Sequence, residues 1–223
     1  MIELQVRQLG HWYGSTRVFR DVTFSLRQGD ILGCVGRNGS GKSTLLRILA
    51  GLLVPLQGTV IVQWQGIRSD DPHWRRSRCG YAAPSLHLYE ELTVDEQIEF
   101  HCACRNYSMT DPTIAELTAS AGLEQFRRRY IAELSSGMLQ RLKLILAFIG
   151  LPPLVILDEP TATLDATGIG ILSRWIEQVR SQTIIVIATN VATELPWCSH
   201  IFNLETRHFS QQESNCCARI DQE

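Results

Sequence analysis

The sequence predicts an α/β fold with a mixed sheet, a small antiparallel β subdomain and an inserted helical subdomain. Three features carry that reading. Residues 154–157 and 183–188 are wholly apolar, β-branched runs of the kind required by parallel strands covered on both faces, and a helical-period stretch over 167–180 lies between them as in a βαβ unit. The N-terminal stretch instead alternates apolar and polar positions, as a half-exposed antiparallel sheet does. From 85 to 147 the hydrophobes recur at three- and four-residue intervals, which is helical spacing.

In chain order, residues 2–6 and 18–26 read as two antiparallel strands with the turn at Gly14-Ser15. Gln28-Gly29-Asp30 turns the chain into Ile31-Leu32-Gly33-Cys34-Val35, a short apolar run that predicts a central strand. Residues 43–53 have helical periodicity closing at Gly51 and Pro55, and 58–65 return to strand character. Three helices follow at 94–104, 114–121 and 138–148. After Phe209 the segment Ser210-Gln211-Gln212-Glu213-Ser214-Asn215 has no hydrophobic period, so residues 1–209 are expected to form one domain and 210–223 a flexible tail.

With 223 residues, 44% hydrophobic and 20% charged, the chain has the composition of an ordinary globular domain, able to bury a core without disulfides or metal. No apolar run approaches the ~20 residues that span a bilayer, and the N-terminus lacks the basic and apolar regions of a signal peptide. Lys and Arg number 21 against 23 Asp and Glu, a net charge of -2, so no basic field invites nucleic acid. Lys42 and Lys143 are the only lysines; arginine supplies every other permanent side-chain cation, which poses the question of what an ammonium does at these two positions. Seven cysteines, an odd number in a chain too long for a stapled mini-domain, fit a reducing cytoplasmic setting. His101, Cys102 and Cys104 match no common zinc spacing, Cys216 and Cys217 read as surface thiols, and Arg127-Arg128-Arg129 as a solvated helix face.

The chemistry begins at Gly36-Arg37-Asn38-Gly39-Ser40-Gly41-Lys42-Ser43, which matches G-x-x-x-x-G-K-[ST], with Thr44 next in the helix it opens. Glycines let successive N–H groups face a polyphosphate, and the helix N-terminus adds partial positive charge. Lys42 places an ammonium at the β- and γ-phosphates, and the Ser43 hydroxyl is a ligand for Mg²⁺. A glycine-rich turn with a chance lysine is the bland alternative; the apolar strand before and the helix after decide against it. Residues 154–157 then deliver Asp158 and Glu159 to a strand's C-terminal end, where open α/β sheets bind ligands. Asp158 would hold Mg²⁺ through water, and Glu159 would polarise the water that attacks the γ-phosphorus.

Between these motifs, Leu134-Ser135-Ser136-Gly137-Met138-Leu139-Gln140-Arg141 resembles the leucine-serine-glycine-glycine-glutamine signature of ABC ATPases, and the resemblance covers nearly the whole chain. It implies a P-loop NTPase core that binds ATP and Mg²⁺. By the same resemblance Tyr13 is the aromatic that stacks on adenine, Thr163-Leu164-Asp165 is the D-loop, and Asn190 stands at the switch histidine. Ser135, Ser136, Gly137 and Met138 would form a second anion cradle that closes over the ATP of an opposite subunit, in a homo- or heterodimer. Each also has a plainer reading: Tyr13 as a strand aromatic, and Ser135 and Asp165 as helix N-caps. A cap and a nucleotide contact are compatible.

Three departures stand out. Met138 replaces the signature glutamine; Pro84, in Gly80-Tyr81-Ala82-Ala83-Pro84, replaces a glutamine that in the family touches Mg²⁺, leaving a water or Ser85 to substitute; and Asn190 cannot become cationic as histidine can. Slow hydrolysis is therefore expected. The resemblance implies an ATP-hydrolysing subunit on the cytoplasmic face of a membrane, driving a separate transmembrane permease. Residues 88–94 look like the start of the helical subdomain in exporter-type members, haem-exporter-like ones among them. The alternatives are a degenerate regulatory subunit or weak half of a heterodimer, and a non-transport ABC ATPase, for which the coiled-coil arms, second ATPase domain and basic surface are missing.

Overall fold

The computed structural model describes residues 1–212. The antiparallel subdomain is a four-stranded sheet made of β1 (Glu3–Tyr13), β2 (Thr16–Arg27), β4 (Gln57–Trp64) and β5 (Ile67–Ser69), in the order β2-β1-β4-β5. The second sheet contains β3 (Ile31–Val35), β6 (Cys79–Ala82), β7 (Leu154–Asp158), β8 (Ile184–Ala188), β9 (His200–Asn203) and β10 (His208–Gln211), in the order β10-β9-β3-β8-β7-β6. Its strands run parallel except β10, which makes it mixed as expected.

Two hydrophobic clusters explain why the central strands are apolar at every position. Leu154 and Ile156 of β7, with Ile184 and Val186 of β8, face a cluster shared with the antiparallel sheet and helix α1 (Lys42–Leu49). Val155, Leu157, Ile185 and Ile187 face the other cluster, shared with α3 (Val94–Arg105), α4 (Pro112–Ser120), α5 (Ser136–Phe148) and α6 (Ala166–Val179). Side chains alternate along a strand, so a strand between two cores needs both parities apolar.

The helices begin where their caps dictate. Thr93 and Glu96 form a reciprocal capping box on α3, Asp111 caps α4 ahead of Pro112, and Asp165 caps α6 through the Gly168 N–H. Helix α1 ends at Leu49, four residues short of the periodic stretch, because Gly51 turns left-handed (φ +74°) where a Cβ would lie 2.3 Å from the Pro72 carbonyl oxygen. Buried Arg75, on the short helix α2 (Pro72–Arg76), donates to the carbonyls of Ile48 (3.1 Å) and Val60 (2.9 Å), joining the end of α1 to β4.

The structure departs from the sequence-based expectation in three further places. The expected tail starts too early: Ser210 and Gln211 pair with Ile201 and His200 in an edge strand, which needs backbone partners more than a hydrophobic period. The remainder of that tail, from residue 213 and including Cys216 and Cys217, lies outside the described residues. Arg127-Arg128-Arg129 is a turn after a 3₁₀ helix (Glu124–Phe126) and not a helix face; Arg127 pairs with Asp95 at 2.6 Å and Arg129 lies over the Phe126 ring. Strands β5 and β6 and helix α2 lack a sequence signal long enough to read. Among the described residues no helix is long and apolar enough to cross a membrane, and no three His, Cys, Asp or Glu residues are grouped to hold a metal.

Candidate active site

Strand β3 ends in the glycine-rich loop, and β3 lies between β8 and β9, at the middle of the sheet's C-terminal edge. The glycines are sterically required. A Cβ on Gly36 would sit 2.7 Å from Ser40 Oγ, and one on Gly41 2.3 Å from Val18 Cγ1, both at positive φ. The Gly41 contact also shows that β2, one arm of the hairpin that carries Tyr13, packs on the loop. Lys42 is buried and its ammonium spans the loop, donating to the carbonyls of Gly36 (2.7 Å) and Arg37 (3.1 Å). From the turn after β9, Glu205 accepts a hydrogen bond from the Arg37 N–H at 2.7 Å. Ser40 Oγ is buried beside the loop without a partner.

Asp158 stands at the end of β7, 4% exposed. Burial raises its pKa above the ordinary carboxylate value, and so does Glu159; the Ser43 hydroxyl, through a hydrogen bond, and the Arg47 and Lys42 cations pull it down. Glu159 adopts φ 47°, a left-handed conformation rare outside glycine, fixed by its N–H donating to the Ala188 carbonyl at 2.9 Å. At the end of β8 the Thr189 N–H binds the Cys34 carbonyl, and the Asn190 amide donates to Asn38 Oδ1 across the loop. Lys42, Ser43, Asp158, Asn190 and Asn38 are thus brought to one edge of the sheet.

A second cluster forms around the start of α5. Ser135 caps the helix, its Oγ accepting from the Met138 N–H at 3.3 Å. The Thr163 hydroxyl donates to the Ser136 carbonyl at 3.5 Å, and a Cβ on Gly137 would come within 3.3 Å of the Thr163 carbonyl. The Met138 side chain packs into the helical core. Asp165 accepts from the Gly168 N–H (2.8 Å) and from Arg141 (2.7 Å), which also donates to the Ala121 carbonyl. The Gly168 N–H foremost, then Arg141, holds the Asp165 carboxyl below its ordinary pKa. Both predicted caps are present. Tyr13, at the hairpin tip, is 51% exposed and sits edge-on to His11 at 4.9 Å. Among the described residues no hydrogen bond or ion pair links this second cluster to the first.

Sequence reasoning assigns no role to Glu205, Arg141, Arg47 or Lys143, whose contacts only the fold supplies. The Ser85 Oγ accepts a hydrogen bond from Arg47 at 3.2 Å. The Lys143 ammonium donates to the carbonyls of Pro84 (3.0 Å) and Ala83 (3.4 Å). Its rarity as one of two lysines was the only sequence signal, and nothing in the sequence named its partners.

Fold and loop geometry are those of an α/β P-loop protein, and residues 19–162 match the family model for ABC transporter. The chain is 31% identical over 205 residues to the lipoprotein-releasing system ATP-binding protein LolD of Buchnera aphidicola, covering 88% of this chain and 90% of that protein. It is 32% identical over 186 residues to the cytochrome c biogenesis ATP-binding export protein CcmA of Vibrio cholerae, with 83% and 89% covered. Against the sulfate/thiosulfate import ATP-binding protein CysA of Bacillus cereus, 28% identical over 187 residues, the chain spans 52% of the relative's length. A solved ATP-binding subunit of an ABC transporter superposes with a TM-score of 0.78 at 28% identity, covering 90% of this chain and 85% of that one. A dimeric ATP-binding cassette bound to ADP and Pi shares the fold, with a TM-score of 0.81 at 21% identity over 93% of this chain and 98% of that one. The chain belongs to the ABC transporter family of ATP-binding subunits, an ATPase family.

Proposed function

We propose that this chain binds MgATP in the loop of residues 36–44 and hydrolyses it to drive export through a separate transmembrane permease. The observation that carries the proposal is the Lys42 ammonium, held over a glycine-lined loop beside Ser43 and the buried Asp158. Lys42 exchanges the carbonyls of Gly36 and Arg37 for β- and γ-phosphate oxygens, which are better acceptors for a cation. A hydroxyl and a carboxylate, both hard oxygen donors, fit Mg²⁺, with Ser43 as ligand and Asp158 behind a water. When bound, the ion neutralises charge on the β- and γ-phosphates. Glu159 polarises the attacking water. Asn190 leaves Asn38 to orient that water or to donate to the γ-phosphate, and because it stays neutral the reaction is slow.

The remaining site residues act from other surfaces. Tyr13 stacks on adenine. Ser135, Ser136, Gly137 and Met138 of a second ATP-binding subunit, with Asp165 at the contact, complete the site in a head-to-tail dimer. Export is the direction favoured by the relatives named for lipoprotein release and cytochrome c biogenesis export, although an import protein is also among the relatives. Pro84 and Asn190 together favour a second reading, a nucleotide-binding subunit that serves as the weak half of a heterodimer. Calorimetry with MgATP, with phosphate release by the purified chain and by Glu159→Gln, separates them. Binding with turnover that Glu159→Gln abolishes supports the first reading, binding without turnover the second, and no heat at millimolar MgATP overturns both. Co-purification with an integral membrane protein tests the permease.

A further inference from the structure

The loop after β6 is gripped by cations from two sides. Helix α5 supplies Lys143 to the carbonyls of Ala83 and Pro84, and helix α1 supplies Arg47 to the Ser85 hydroxyl. Lys143 is buried, and burial lowers its pKa; among the described residues it forms no ion pair, so these carbonyls are what the ammonium has. That is an expensive way to place a side chain merely to fill space, since a buried cation without a carboxylate costs more than an apolar residue of the same volume. The position explains it. Ala82 pairs with Leu157, so the gripped residues lie beside the strand end that carries Asp158. Helix α1 starts in the phosphate loop, with Arg47 about 8 Å along it from Lys42, and α5 starts at the Ser135 cap, about 12 Å from Lys143.

We propose that Lys143 and Arg47 form a two-sided clasp on residues 83–85 that fixes helix α5, and with it the Ser135–Gly137 cradle, relative to the phosphate loop. They are positioning residues, one on each of the helices that open at the two anion sites. Proline at 84 suits the role, because it stiffens the gripped segment and keeps a carbonyl for Lys143. A compact ammonium with three rotatable donors can serve two carbonyls in a closed space where a planar guanidinium cannot turn. The clasp as a structural device is independent of the proposed ATPase cycle; its effect on turnover rests on that reading.

The test uses the full chain as Lys143→Met, Arg47→Met and the double variant. Without nucleotide, amide exchange of residue 83 and of 85–88 is expected to quicken about 10-fold or more in each single variant; unchanged exchange in both overturns the clasp whatever ATP does. In Lys143→Met, MgATP affinity of the single subunit should stay within about 2-fold of wild type, since residues 36–44 and Asp158 are untouched, while phosphate release falls about 10-fold. The double variant should lose about as much as Lys143→Met alone, because both cations act through one loop. Losses that multiply, or MgATP affinity that falls as far as turnover, overturn the proposal. Arg47 is only partly buried, so its variant keeps the test decisive even where Lys143→Met folds poorly. A wild-type chain that takes up no MgATP fails the functional reading, and amide exchange still decides the clasp.

Discussion

Gly80 lets β6 approach the backbone at the end of α5 closely. A Cβ built on it would lie 1.8 Å from the Ala147 carbonyl oxygen, 2.8 Å from the Ala147 carbonyl carbon and 3.0 Å from Pro152 Cγ. Ordinary contact begins near 3.4 Å, so Gly80→Ala must move strand from helix by about 1.5 Å, and the obstacle is backbone that no rotamer change can clear. Overpacking of this kind costs about 1–3 kcal/mol when side chains can yield; with main chain in the way, about 3 kcal/mol or more is expected. Gly170 gives the internal control, because it lies in α6 with nothing within 4 Å of its would-be Cβ, where alanine should gain about 0.5–1 kcal/mol from helix propensity. Urea unfolding followed by tryptophan fluorescence reads both. The Gly80→Ala midpoint should fall and the Gly170→Ala midpoint rise at unchanged slope, with a melting temperature about 6–12 °C lower for the former. A Gly80→Ala chain within about 0.5 kcal/mol of wild type would refute the idea that this glycine sets the β6–α5 spacing.

His101 is held neutral by burial, with Arg105 adding to the effect, its pKa lowered from 6.5 to about 4. The unfolded chain takes up that proton first, so stability falls as pH drops from 6.5 towards 4, by about 3 kcal/mol at most, and is fully present above 6.5; His101→Gln should flatten the unfolding midpoint over that window. Burial pushes the thiols of Cys34, Cys79 and Cys198 up to about 12, whereas Cys104 is exposed. Peptide mapping after brief iodoacetamide treatment of the native chain should therefore find Cys104 alkylated and those three intact, and all four alkylated in urea. Asn190→His should raise phosphate release about 10-fold by restoring a group able to become cationic, and Glu159→Gln should stall a nucleotide-bound dimer; unchanged rates in both would remove these residues from the reaction.

What could be read ahead of the structure follows from where the physics is local. Strands β7 and β8 were legible because both their faces are buried, and α3, α5 and α6 because a cap precedes an apolar stripe. The phosphate loop was legible because its glycines, lysine and serine are contiguous. Strand β6 was not, since the identity of Gly80 answers to Ala147, far along the chain. Nor was α2, five residues whose hold is Arg75 reaching carbonyls of two other elements. The Glu205 contact with the Arg37 N–H spans 168 residues, and the Lys143 contact with Pro84 spans 59. Composition marked Lys143 as unusual, but only the fold says what it holds.

The position of β3 between β8 and β9 bears on how the chain is born. A ribosome emits residues 31–35 well before the backbone partners of that strand, which come from 184–188 and 200–203. Until those late segments emerge, the nascent glycine loop has no flanking ladder to hold its amides in register, however complete its motif. Pairing across so long a stretch of polypeptide is slow. Order in the glycine loop thus waits on residues 184–203, and a fragment ending at residue 183 would carry every letter of the loop without its scaffold.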